Sequence, residues 1–424
     1  MELSRELSNM LVNPDVYADP ERINALFAQL RRDAPFARAH PDGFDPFWVA
    51  TRHADVLDIE KRSDVFHNGD RSTFMSPAAV IELTKQVTGG DPNLIRSLVS
   101  VDGEEHKALR EITFKALTPA SLRAVQEDIR ATASLFADRM IKLAPTCDFA
   151  RDVAYWYPLR VVMQLLGVPE KDEPLMLRLT QEMFGGADAD LNASGAELPP
   201  VESMAMFVRN TLREFDEYFA PVTKAYRENP TGSLHSIMAN ATIDGEYLTH
   251  RQLMGYYIIS SGAGHDTTSN TTSGAMWALA ERPELLRRLK DNPQDIAGFV
   301  EESVRWASAV KTFMRSATED TEVAGQPVKK GDWILLSYHS ASRDESVYPD
   351  PDEFDIDRPR GKQIAFGSGP HVCLGQHLAR LEMRLLWEAL IPRLKSVELA
   401  GVPRLYRSTF VIGPKTVPIR FEVE

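Results

Sequence analysis

FGSGPHVCLG, residues Phe366 to Gly375, holds one of the two cysteines in a chain of 424 residues. Glycines stand at 367, 369 and 375, where they permit backbone angles that side chains forbid and let other atoms come close. Directly behind the loop, apolar residues recur at Leu378, Leu381, Leu385, Leu386, Ala389 and Leu390. That is a helical period, and it starts a helix just after Cys373. A thiol at a helix N-terminus faces unpaired N–H groups and the positive end of the dipole, and both favour the thiolate. The residue chemistry leaves three readings open: a small buried hydrophobe beside a tight turn, a metal ligand, or a nucleophile with His371 or His377 offered as its base.

The bulk of the sequence narrows the setting. Net charge is −13, with 43% hydrophobic and 26% charged residues. An acidic globular chain of this kind argues against nucleic acid and against an anionic membrane as partners. Cys147 and Cys373 make no disulfide framework and fit a reducing compartment. The opening MELSRELSNMLVNPDVYADP carries acidic residues and prolines where a secretory signal needs an apolar run. No later segment reaches the ~18 apolar residues of a membrane span, and the weakly charged stretch Gln252 to Ala280 is broken by His265 and Asp266. The expectation is a cytoplasmic protein without an anchor.

Helical periodicity dominates the chain. Helices are expected over Pro20–Arg32, Gly103–Leu117, Pro119–Lys142, Leu159–Leu166, Met204–Asn229, Thr249–Ala280, Pro283–Leu289, Pro293–Ser308 and Gln376–Lys395. The first has Asp19 placed as N-cap and Pro20 at the first helical position. Strands are short: Phe47–Ala50, Trp333–Tyr338 and the ends of Arg404–Val423, with a turn over Gln326–Asp332. The fold class is mainly α with small β-sheets, in one domain over residues 1–424. Phe66–Asp102 and Gly185–Val201 read as irregular, the character of lids and binding loops.

The pattern Phe366-x-x-Gly369-x-His371-x-Cys373-x-Gly375 resembles the haem-ligand loop of the cytochromes P450, the haem-thiolate monooxygenases. Pro370 departs from many relatives, which carry a small or polar residue there. The resemblance implies a P450 fold with haem b buried between a long central helix and the helix after the cysteine loop. It implies Cys373 as the axial iron ligand, Phe366 packed against ligand and porphyrin, backbone N–H groups at the glycines, Gly375 included, tuning the sulfur, and His371 at a haem propionate. A thiolate in that position pushes electron density toward the metal and promotes O–O cleavage.

Other motifs follow in the family's order. AGHDTTS, Ala263 to Ser269, joins a carboxylate to a hydroxyl inside a helix. Such a pair can hold water and pass protons, and a Thr pair can bond back to its own helix and bend it. It is similar to the family's oxygen-activation motif, which implies proton delivery by Asp266 and Thr267 and room for dioxygen at Gly264. EESVRW places Glu302 and Arg305 on one helix face, and PDEFDIDR supplies Arg358. By resemblance these three form a structural network under the haem. DGEEHKALR puts His106 and Arg110 four apart on one face. With Arg315, in FMRSATED, and His371, the resemblance makes four propionate partners.

The resemblance further implies hydroxylation of a small hydrophobic substrate with dioxygen as co-substrate. Electrons come from NAD(P)H through a ferredoxin and its reductase, because no flavin or iron–sulfur segment is seen. Lys107, Lys115, Arg380 and Arg384 are candidates for the ferredoxin's landing patch. Ile259, Ser260, Ala263, Val310, Thr312, Phe410 and Val411 are expected to line the pocket, and the two irregular stretches to roof it. AGHDTTS, CLGQHLARLEM and the tail GPKTVPIRF resemble soluble bacterial members that hydroxylate terpenes, so a terpenoid or alkyl-aromatic hydrocarbon is the expected substrate. The alternatives are a peroxide-driven peroxygenase on the same scaffold, against which Asp266-Thr267 argues, and a haem-binding sensor without turnover.

Overall fold

A computed structural model describes residues 1–184, 188–190, 201–359 and 361–424. The helix starts follow local chemistry. The Asp19 carboxylate accepts from the N–H groups of Glu21 and Arg22 while Pro20 opens the helix Pro20–Asp33, satisfying donors that have no partner within the helix. A capping box of Thr249 and Gln252 starts the central helix His250–Ala280, which is 31 residues long. Most of its side chains are buried on all sides, as expected of a helix wrapped by others rather than lying on a surface. It packs against Trp156–Leu166, Glu173–Phe184, Ile296–Ala307 and Gln376–Leu390.

To one side lies a five-stranded sheet in the order Phe36–Ala39, Phe47–Ala50, Trp333–Ser337, Thr312–Ala317, Phe66–His67. Its pairings are antiparallel except for Phe47–Ala50 with Trp333–Ser337. The strand Thr312–Ala317 reaches the edge of the central cavity, so residues of one face only can look into it.

Several expected elements are placed differently. The helix after the cysteine loop ends at Leu390 rather than running to Lys395. Pro392 sits in a 3-10 turn, Ile391–Arg393, and a strand begins at Leu394; proline removes a helical donor and clashes with the preceding turn. The stretch Phe66–Asp102 is not wholly irregular, since Ala78–Thr88 is helical and closes on Gly89 in the left-handed region. Of Gly185–Val201, only residues 188–190 and the helix start at Val201 are among the described residues. The expected turn Gln326–Asp332 divides: Gln326–Val328 is the strand of a hairpin with Thr321–Val323, and Lys329–Asp332 turns. Ala324 and Gly325 at positive φ make the hairpin's tip.

Glu302, Arg305 and Arg358 meet in the interior. The Arg305 guanidinium donates to both oxygens of Glu302, at 2.8 and 2.6 Å, and Arg358 Nε donates to Glu302 at 3.2 Å. Arg305 also donates to the carbonyls of Ser342, Pro351 and Glu353. Both members of the central pair are nearly fully buried, so removing one leaves an uncompensated charge. Glu302→Ala is expected to destabilise the protein by about 3–5 kcal/mol, read as a lowered denaturant midpoint; a loss below ~1 kcal/mol, typical of an exposed pair, would show the network to be dispensable.

Candidate functional site

The site is a deep cavity between the central helix and the cysteine loop. Its floor is the loop itself. Gly369 takes φ +65°, and a Cβ there would stand 2.4 Å from the carbonyl oxygen of Glu60; only glycine fits. Gly375 differs from expectation. Its φ is −85°, open to any residue, and the place of its Cβ is empty space facing the cavity. The Cys373 N–H donates to the Phe366 carbonyl at 2.8 Å, and Arg380 lies over the Phe366 ring, 4.4 Å from its centroid.

The Cys373 sulfur lies deep in the protein, yet its surface is open to the cavity. Burial pushes the thiol pKa up, against the N–H groups of Gly375 and Gln376 and the charges of Arg110 and Arg380. The N–H groups at the helix start thus favour the thiolate, as position implies, while burial opposes it. A cation bonded to the sulfur would favour the thiolate.

At the cavity's basic end four groups converge from three parts of the chain: His106 and Arg110 from Gly103–Phe114, Arg315 from Thr312–Ala317, and His371 from Gly369–His371. The rings of His106 and His371 lie 3.9 Å apart. Burial, then His371 and Arg110, lower the His106 pKa to about 4. His371 is held by Asp102 at 3.3 Å and Asn68 at 3.2 Å. Arg315 lies 3.6 Å from Glu60, whose pKa burial raises to about 6. Arg110 makes no hydrogen bond or ion pair with any described residue. Basic groups stacked this closely want an anion among them.

The opposite wall is the central helix. Ile259, Ser260, Ala263, Gly264, Asp266 and Thr267 all border the cavity. Helical structure is continuous there. The Thr267 hydroxyl donates back to the Ala263 carbonyl at 3.3 Å. Gly264 has a packing reason: an added Cβ would lie 3.0 Å from Val162 of the neighbouring helix. Burial raises the Asp266 pKa to about 7. No arginine or lysine among the described residues pairs with it.

Val310, Phe410 and Val411 also line the cavity, Val310 bridging to Val411. Thr312 does not. Its hydroxyl donates to the Thr409 carbonyl at 2.8 Å, and Phe313 faces the cavity instead. Strand alternation carried the signal: a residue sharing a face with Arg315 sits at 313, not 312. Phe313 joins Phe74 and Phe410 in an aromatic cluster with ring centroids 4.6 to 5.9 Å apart. Phe74 comes from the stretch expected as a roof, where no sequence signal singled it out. Glu382 was missed as well; it is fully buried, borders the cavity, and neither of its carboxyl oxygens has a hydrogen-bond partner among the described residues.

Among the described residues no group of three or more His, Cys, Asp or Glu gathers as a metal site. One sulfur open to a cavity, with four bases at the side, fits a metal that arrives in a macrocycle bearing its own donors and carboxylates. Haem is such a group. A family profile described as Cytochrome P450 matches residues 82–421. The chain is 44% identical to Cytochrome P450-terp of Pseudomonas over 99% of its own length and 98% of that protein's.

The chain belongs to the cytochrome P450 family.

It is 30% identical to linalool 8-monooxygenase of Pseudomonas putida, over 96% of this chain and 98% of that one. The crystal structure of CYP108D1 from Novosphingobium aromaticivorans superposes with a TM-score of 0.92 at 40% identity, each chain covered in full. The protein is thus a P450 monooxygenase, mainly helical with small sheets, and the family implies haem. No described helix of this P450 is long and apolar enough to cross a membrane. Of the four candidate landing residues, Lys107 and Lys115 are exposed, while Arg380 is tied to Glu301 at 2.5 Å and Arg384 lies 3.7 Å from Glu388. Cys373→Ser is expected to abolish the red-shifted absorption of the reduced carbonyl complex; a variant that kept that band would move the ligand to another residue.

Proposed function

We propose that this P450 hydroxylates a small apolar terpenoid or alkyl-aromatic hydrocarbon, using dioxygen and electrons from a ferredoxin and its NAD(P)H-dependent reductase. The observation that carries the reading is the cavity's arrangement: Cys373 on the floor, Asp266 and Thr267 on the facing helix, and the Phe74, Phe313 and Phe410 rings at the side. Bound haem supplies the redox centre that activates dioxygen and transfers one oxygen atom to a C–H bond.

The chain's own residues do the rest. Cys373 would hold the iron, and His106, Arg110, Arg315 and His371 would hold the two carboxylates. Apolar walls exclude water and place the substrate. Wall hydroxyls at Ser260 and Thr271 are already spent, donating to the Tyr256 and Thr267 carbonyls at 2.8 Å each. A wall of that kind suits a hydrocarbon, since a polar substrate would leave its own groups unpaired. Burial raises the Asp266 pKa to about 7, so it keeps a proton far more readily than a free carboxyl does, which suits a group that gives a proton and takes it back. Thr267 stands beside it with its hydroxyl held only by a long bond to Ala263.

Optical titration with limonene or 4-isopropyltoluene is expected to convert the iron from low to high spin; a shift with steroids or fatty acids and none with these compounds would overturn the substrate class. In a reconstituted redox chain, Asp266→Asn is expected to slow product formation by about 10²-fold and Thr267→Ala to lower product formed per electron pair. Unchanged coupling in Thr267→Ala would favour the peroxide-driven alternative.

A further inference from the structure

His265 lies between two groups already placed, and nothing above uses it. Its side chain is fully buried. Its Nε2 lies 2.9 Å from the Thr180 hydroxyl, on the helix Glu173–Phe184. Its Nδ1 lies 3.3 Å from Asp266 Oδ1 without hydrogen-bond geometry, and is a buried atom with no hydrogen-bond partner among the described residues.

The proton positions follow from counting donors. Thr180 spends its O–H on the carbonyl of Met176, at 2.9 Å, with Leu177 close by at 3.1 Å. Its oxygen is then an acceptor, and the imidazole Nε2–H donates to it. Burial keeps His265 neutral, with its pKa lowered to about 3, so the ring carries one proton and Nδ1 is a bare lone pair. A carboxylate facing that lone pair would be repelled. A carboxylic acid turned toward it could donate a hydrogen bond.

We propose that His265, its tautomer fixed by Thr180, is a positioning residue that holds Asp266 as a neutral acid with its proton directed at Nδ1. The inference rests on the proton-delivery reading of Asp266 given above. It joins two helices across the distal side: the hydroxyl of one selects the ring tautomer of the other, and the tautomer selects the protonation state of the acid beside the cavity. Rotation of the carboxyl group then turns the stored proton from His265 toward Thr267 and the cavity.

Other groups around Asp266 do not compete. Tyr155 and Tyr406 face it from neighbouring elements, and both phenols are pushed up by burial and stay neutral. Their hydrogens are spent, Tyr406 on Tyr155 and Tyr155 on the Lys415 carbonyl at 2.9 Å. Thr267 donates to its own helix. His265 is left as the acceptor.

The test is an infrared titration of the haem-loaded protein, following the protonated-carboxyl band that Asp266→Asn removes. In His265→Leu the midpoint of that band is expected to fall by about one pH unit, because the acid loses its acceptor and the carboxylate escapes the lone pair. His265→Asn, whose amide oxygen can stand where Nδ1 stood, is expected to stay near the wild-type midpoint. Thr180→Val lies on another helix and touches neither Asp266 nor haem. It frees the ring to carry its proton on Nδ1 and donate to the carboxylate, so the midpoint falls again. The reduced carbonyl spectrum checks that each variant is folded. A midpoint unchanged or raised in His265→Leu, or no band lost in Asp266→Asn, overturns the proposal. If Asp266→Asn loses turnover but no band, this inference alone fails and the proton-delivery reading stands.

Discussion

Burying a single sulfur at the start of a helix is the constraint around which this molecule is arranged. The Cys373 thiol is desolvated, and the N–H groups of Gly375 and Gln376 oppose that cost without overcoming it. Such a site fits haem, which the family implies and which would bring a cation with its own donors. The loop's glycines, the basic end of the cavity and the facing helix are consequences of making room for such a group. Gly369 lets the loop press against Glu60, and Arg380 covers Phe366 from outside.

The two faces of the cavity handle charge differently. Near Cys373 and the propionate positions, arginines and histidines gather and lower one another's proton affinity. On the distal face charge is avoided. Asp266 has no described cation beside it, His265 is neutral, and Glu382, fully buried below Thr268, is pushed well above the usual carboxylate range. Neutral acids in a dry wall can hold protons without attracting the water that a carboxylate would organise.

The helices with strong periodicity and clear caps were legible to within a few residues, as with Pro20–Asp33 and His250–Ala280. The short strands Phe36–Ala39 and Thr312–Ala317 were not, because a few residues that take their identity from sheet partners carry little pattern of their own. The same cause misplaced Thr312. Its type suited a pocket, but the register with Trp333–Ser337 turns Phe313 and Arg315 inward. Ala78–Thr88 was hidden in a stretch whose glycines and serines read as loop. Gly264 was noticed as an oddity and given a chemical reason, while its close neighbour Val162 lies about 100 residues away in the chain and could not be inferred.

Read alone, the sequence was enough for the family, for the predominance of helix, and for picking out the cysteine, the acid–alcohol pair and the basic residues that the fold brings to one cavity, because each rests on residue type at short fixed spacing, where local stereochemistry suffices. Folding in three dimensions settled which aromatic rings wall the cavity, that the Cys373 sulfur is deeply buried beside Arg110 and Arg380, and that Thr180 reaches His265. Those depend on contacts between segments far apart in the chain and on desolvation, a property of surroundings that no short stretch contains.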